Sequence, residues 1–583
     1  MGNDSQHKQM SGDERDRRML DLYDQLLEIE GRLIPTGLHV FGRASSEGEC
    51  ADLLRMVASF DRPEAGARAL PDLVAEGLDC GNYQELLRRD GMTETAWRSR
   101  ERVDAAVREA IANFLRAGTP AALAWLAQNA HVAPEDARPV FHLLQKIREQ
   151  LKTNTELDSF IRALRGEYIE PGPGADIVQN PGILPTGRNT HAVNPYTVPS
   201  DAAFARAEHV VNLLLARHRA EKGSFPRAMA LVLWGLDNIK TQGEGVAQAL
   251  WLLGVRPVRD AMNRVTDVAV IPLEKLGRPR IDVVMTVSGI FRDLFGATMG
   301  LLDKAVRAVA ELDEPPEWNY VRANVATQIE AEGCTFDDAA LRVFSNAPGN
   351  YGTNVNFMVM DSQWEHADAL GDLFVTRKCF AYGRDREGRA VVGKEARGAM
   401  NRALSRVEAT YQNIDSFEIG ITDVDHYFEY LGGVSKAVEK SAQAKPAIYV
   451  SDGLSRDVRV RSLEESVRLE TRTKTLNPKW YEGMLKHGFR GVAEIESHVA
   501  NTFGWSATAD AVDDWVYTGV AETFVLDDGM LERLRRLNPH SARSLVGRLL
   551  EAHGRGFWEA EAEMLERLRD VFANLEDQLE GVA

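Results

Sequence analysis

Asp423, Asp425 and His426, within ITDVDHYFEY (421–430), are the residues of this chain best spaced for chemistry. They follow an apolar alternation, Phe417, Ile419 and Ile421, that reads as a strand over 416–421. Side chains two apart on an extended segment point the same way, so Asp423 and Asp425 are expected to share a site. Two close carboxylates push one pKa upward, which suits a proton acceptor. Such a pair also attracts a hard divalent cation. The same letters would serve equally as an aspartate helix cap beside a surface histidine.

A second concentration of polar groups lies in LVLWGLDNIKTQGEG (231–245). An apolar strand over 228–234 runs into a loop carrying Trp234, Asp237, Asn238, Lys240, Thr241, Gln242 and Glu244. From Gly245 an apolar-rich helix resumes that Gly254 can close. Strand, polar loop and helix form the α/β layout that places ligands beyond the carboxyl ends of strands, though an ordinary βα connection reads the same way. Other candidates are more isolated. His191 and Arg188 stand together in PTGRNTH, within a long loop. Arg292 follows a strand over 281–287 and has Asp293 and Glu274 as alternative salt-bridge partners. Asn354 belongs to SNAPGNYGTNVN (345–356), whose amides suit either a polar ligand or a plain turn. Arg472, Lys474, Lys479, Trp480 and Tyr481 form an aromatic-and-basic cluster, fit for a partner or for stapling helices.

The elements that must position these groups divide the chain. Residues 1–166 read as a helical region, with a stripe at Val103, Val107, Ile111 and Leu115 that ends at Gly118. Residues 167–200 are a Pro/Gly-rich loop. Residues 201–460 alternate candidate strands (228–234, 281–287, 340–345, 416–421, 446–450) with helices such as 299–312, predicting an α/β core with mainly parallel sheets and covered faces. Residues 461–583 return to helices. The fold class expected is a multi-domain α/β protein flanked by N- and C-terminal helical regions.

Composition excludes several classes. A chain of 583 residues, 44% hydrophobic and 27% charged, is expected to be globular with more than one core. A net charge of −18 argues against a general nucleic-acid binder. The first residues are polar without a secretion signal, and no apolar run reaches the length of a membrane span, so a cytoplasmic location is expected. Cys50, Cys80, Cys334 and Cys379 are scattered and suggest neither disulfides nor zinc. No GxxxxGK[ST], HExxH or GxSxG occurs, so this chain is not expected to hydrolyse ATP itself.

LVLWGLDNIKTQGEG, PLEKLGRPRIDVVMTVSGIFRDLF (272–295), RVFSNAPGNYGTNVN (342–356), ITDVDHYFEYLGGVSKAV (421–438) and ETRTKTLNPKWYEGMLKHGF (470–489) together resemble the large, porphyrin-binding component of magnesium chelatase, its H component. The cobalt chelatase large subunit of cobalamin synthesis is a more distant relative. The matching blocks run in order from about Leu22 to Trp558. The family's large subunit is a much longer chain, and the resemblance is to its C-terminal part. It implies a component that inserts Mg²⁺ into protoporphyrin IX in (bacterio)chlorophyll biosynthesis. ATP would be hydrolysed by a partner, an AAA+ motor subunit (I) working with an adaptor (D), and a separate N-terminal half would complete the large component. Cobalt insertion into a corrinoid, or a truncated non-catalytic porphyrin carrier, are the alternatives.

Under this resemblance Asp423 and Asp425 become proton acceptors or metal relays with His426 as neighbour. Arg188, His191 and Arg292 would position the macrocycle, because guanidinium groups match propionates. Trp234, Lys240, Glu244 and Asn354 complete the expected substrate-binding set.

Overall fold

The computed structural model describes residues 29, 37–87, 93–174, 176–191, 193–414, 416, 418–453 and 458–582. Its centre is a sheet of eight strands. In chain order these are β1 (Ala228–Leu233), β2 (Asp282–Val287), β3 (Val343–Ser345), β4 (Phe380–Arg384), β5 (Ala390–Glu395), β6 (Ala409–Ile414), β7 (Ala447–Asp452) and β8 (Arg459–Ser462). Their spatial order is β8-β7-β6-β1-β2-β3-β4-β5. The five central strands run parallel, with Ala228 opposite Asp282 and Met229 opposite Ala409. β8 at one edge, and β4 and β5 at the other, pair antiparallel.

All six residues of β1 are buried because both sheet faces are covered. Alternation sorts them between two cores. Met229, Leu231 and Leu233 pack against helices Asp201–Lys222, Glu244–Leu253 and Gly296–Ala310. Ala228, Ala230 and Val232 belong to the larger core shared with the C-terminal helices, which supply Phe503, Trp505 and Leu549. A third core lies among the N-terminal helices, around Phe114, Phe141 and Leu144, and takes in Leu184 of the 167–200 loop.

The parallel centre and the flanking helices agree with the sequence reading, and helix Gly296–Ala310 buries Leu301, Leu302, Ala305, Val306 and Val309 as its stripe predicts. Gly254, left-handed at φ 75°, closes helix Glu244–Leu253. Three points differ. The strand expected at 416–421 is absent among its described residues; the strand is β6, and Phe417 lies outside them. A hairpin, Val255–Arg259 with Val265–Val270, and the β3-β4-β5 edge add antiparallel pairing that the pattern did not reveal, because these strands are short or half exposed. The 167–200 loop also contains a small parallel ribbon, Pro171–Pro173 with Asn189–His191.

Candidate functional site

β1 is followed by β2 on one side, while β6 lies on the other, so the chain connections diverge between β1 and β6. In open α/β sheets the crevice beyond the carboxyl ends at such a point is where ligands bind. Trp234 leaves β1 here, and its Nε1 donates to Gln412 Oε1 of β6 at 3.2 Å. Its ring lies 4.5 Å from that of Tyr430 and 5.8 Å from that of Tyr427, centroid to centroid.

The short helix Asp425–Tyr427 passes directly into a π-turn, Phe428–Gly432. Such wide turns are uncommon and frequent at functional sites. This one turns Glu429 inward, where its side chain is 1% exposed. Glu429 Oε1 accepts from the Thr353 and Asn354 amides and from Thr353 Oγ1, while Oε2 lies 2.7 Å from His426 Nδ1. Asn354, left-handed at φ 64°, lets the two successive amides converge on one oxygen. Burial pushes the Glu429 carboxyl up, but the His426 bond and those amides outweigh it and hold the group below its ordinary range. The Glu429 bond in turn raises His426 against the opposing effect of burial. Each group thus favours the charged form of the other, and the outer half of the pair is open: the His426 side chain is 60% exposed and that of Asp425 39%. Asp425 Oδ2 accepts from Asn356 Nδ2 at 2.6 Å.

Beneath them Lys378 is fully buried. Its Nζ donates to Val287 O and Asn346 Oδ1, 2.8 and 2.9 Å, and sits 4.0 Å above the Tyr430 ring. Burial drives this amine well below its ordinary range.

Asp423 does not join Asp425. It binds Lys474 Nζ and lies 3.0 Å from His498 Nε2, and the Gly420 amide donates to it at 2.6 Å. Burial pushes its carboxyl up, but Lys474 and His498 together hold it far below the usual range. The two aspartates were expected to repel and raise one pKa. Instead the loop turns between them, and Asp423 is an ion-paired anchor with no raised affinity for protons. Lys474 comes from a second π-turn, Thr471–Thr475. Nearby, Glu470 accepts from the Ile421 and Thr422 amides at 2.7 and 2.8 Å. Among the described residues no three His, Cys, Asp or Glu side chains converge as a metal-holding group.

The other expected residues are dispersed. Arg292 is 6% exposed and faces inward: Nε binds Asp293 at 2.8 Å, and Nη1 donates to Ala347 and Asn350 carbonyls. It braces the 346–352 loop rather than facing the crevice. Glu244 is buried against Arg206 (3.1 Å) and Gln248 (3.3 Å), and burial raises its pKa. Lys240 ends helix Gly235–Lys240, half-buried. Arg188 is exposed on the ribbon, packed by its carbons against Gly172. His191 ends that ribbon, and its side chain lies outside the described set. The residues that sequence reasoning missed are Glu429, Asn356, Lys378, Tyr430, Gln412 and His498. Of these only Glu429 carried a signal, three residues beyond His426.

Large apolar side chains stand exposed on the segments that border the crevice: Leu236 (54%), Ile290 (41%) and Phe357 (62%) on short helices, and Tyr351 (55%) on the loop before the last of them. Gly235 lies against Ile290, and Gly289 against the Tyr351 ring, so these segments touch one another.

The sheet, parallel at its centre and antiparallel at both edges, is of the mixed α/β class. The CobN/Magnesium Chelatase family profile matches residues 1–565, and the chain belongs to that family. It is 44% identical to the chloroplastic magnesium-chelatase protein ChlH of Oryza sativa subsp. indica, over 98% of this chain and 43% of that protein. It is 39% identical to the corresponding magnesium-chelatase H protein of Chlorobaculum parvum, over 96% of this chain and 45% of that one. Among solved structures, the catalytic subunit of cobaltochelatase from Mycobacterium tuberculosis superposes with a TM-score of 0.88 at 33% identity, covering 98% of this chain and 47% of that chain. The chain thus spans less than half the length of these relatives. Among the described residues no helix is long and apolar enough to cross a membrane.

Proposed function

We propose that this chain is the porphyrin-handling, C-terminal portion of a magnesium chelatase large subunit, acting in insertion of Mg²⁺ into protoporphyrin IX for (bacterio)chlorophyll biosynthesis. The observation that carries the reading is the crevice itself, where a partly exposed Asp425 and His426 stand among exposed apolar and aromatic side chains. A flat macrocycle needs such walls, and aromatic faces such as Trp234 and Tyr351 supply them. Insertion also removes two pyrrole protons, which calls for a positioned acceptor. Asp425 fills that role. His426, whose proton affinity Glu429 raises, lies beside it and orients the loop. Asp423, with Lys474 and His498, fixes the same loop from behind.

ATP hydrolysis falls to a motor partner with its adaptor. A cytoplasmic location fits these partners. Magnesium is favoured over cobalt because the magnesium-chelatase relatives match at 39% and 44% identity, against 36% for the aerobic cobaltochelatase protein CobN of Sinorhizobium.

Reconstitution with motor, adaptor and N-terminal half tests the reading. Asp425→Asn keeps shape and removes charge, so Mg-porphyrin formation should fall by about two orders of magnitude or more, on the scale of a lost acid–base group. Quenching of protein fluorescence by protoporphyrin IX should stay near that of the parent chain. Full turnover by Asp425→Asn would overturn its role as proton acceptor, and absence of porphyrin quenching in the parent would overturn the function.

A further inference from the structure

Asn356 is 2% exposed, and its carboxamide is used on one side only. Its amide nitrogen faces Asp425, donating to Oδ2 at 2.6 Å. That orientation leaves Asn356 Oδ1 on the same small plane, buried and, among the described residues, without a hydrogen-bond partner. Buried side-chain oxygens are nearly always paired, and leaving one unpaired costs about 1–3 kcal/mol. The oxygen therefore awaits something that is not protein. It sits beside a carboxylate whose side chain is 39% exposed, at the open end of the sheet. Glu429 is not free to contribute, since Thr353, Asn354 and His426 hold its oxygens.

We propose that Asn356 Oδ1 and Asp425 form the receiving site for the incoming divalent cation, ligating it directly or through one of its waters before it reaches the macrocycle. The inference rests on the chelatase reading above. Its chemistry follows from the donors: a neutral amide oxygen and a carboxylate oxygen suit a hard, oxygen-seeking ion such as Mg²⁺, which keeps several waters and needs few protein ligands. Asn356 then has two tasks, since the same amide holds Asp425 in orientation and offers its oxygen to the metal. A pyrrole N–H is the other donor that could satisfy Oδ1, but it would do so only with porphyrin bound.

The test uses the whole 583-residue chain without porphyrin, titrated with Mn²⁺ as a paramagnetic stand-in for Mg²⁺ and read by loss of the free aquo-ion resonance. The parent chain should show a site that Mg²⁺ competes for. Asn356→Ala and Asp425→Asn should each weaken it about tenfold or more, the range for groups around a metal, while porphyrin quenching stays intact. If Asn356→Ala does not fold, as judged by circular dichroism, Asn356→Leu keeps the volume and serves the same comparison. Unchanged Mn²⁺ affinity in the folded Asn356 variant overturns the inference and leaves the chelatase reading standing. So does a parent chain that quenches with porphyrin yet binds no Mn²⁺. A parent chain that does not bind porphyrin overturns both.

Discussion

Glu429→Gln keeps the shape of the buried carboxyl and removes only its charge. Three donors meet Oε1: the Thr353 amide, Thr353 Oγ1 at 3.0 Å and the Asn354 amide at 2.9 Å. A bond to an ionised acceptor contributes about 1.5–3 kcal/mol, and a neutral one about 1 kcal/mol. Three bonds therefore lose roughly 3 kcal/mol in all. Part of this returns because a neutral amide is cheaper to bury than a carboxylate, so a net loss of about 1–3 kcal/mol is expected. The same change removes the charge that raises His426, so the imidazole pKa should fall toward its ordinary value. Urea unfolding followed by tryptophan fluorescence measures the first effect, and a proton NMR titration of the histidines measures the second. An unchanged midpoint together with an unmoved His426 titration would refute the account of the π-turn as the holder of an ionised pair.

Two further outcomes follow from the same geometry. Lys474→Met should destabilise the chain by about 3 kcal/mol, because it strands Asp423 with one cation fewer in a buried setting; Asp423→Asn in the same chain should restore part of the loss, measured by urea midpoint, and a lack of recovery would show that the pair is not coupled. The His426–Glu429 pair makes stability depend on pH in a definite direction. His426 is raised, so its contribution is complete below about 6.5, the unfolded value, and disappears as pH rises through its higher folded pKa. Glu429 is lowered, so its contribution is present above about 4.3 and is lost as pH falls through its folded value. The midpoint difference between the parent and His426→Asn should therefore shrink as pH rises above about 6.5 and through the raised folded pKa of His426; a constant difference would contradict the assignment.

β1 was legible in the sequence because a strand covered on both faces has an uninterrupted apolar run, and the loop after it stood out by contrast. The crevice was found for that reason. The segment before Asp423 misled because Ile419 and Ile421 alternate as a strand would, yet its amides are satisfied by Glu470, a side chain 49 residues from Ile421. No local pattern announces such a bond. The π-turns were equally hidden: a helical stripe does not show where five residues instead of four close a ring, and this is what separates inward Glu429 from outward His426. Lys378 left no trace, since a buried lysine is indistinguishable in sequence from an exposed one at the end of a helix.

β1 and β6 are neighbours in space, yet β2 to β5 intervene along the chain. During synthesis Trp234 emerges long before Gln412 and Tyr430, so the crevice has no second wall until β6 and the π-turn have left the ribosome. Until then the strand Ala228–Leu233 presents an unpaired edge of buried-type residues to the cell. The architecture that gives the crevice its depth thus also makes it a late-closing feature of folding, and late closure is where chaperones and truncations would have their strongest hold on this protein.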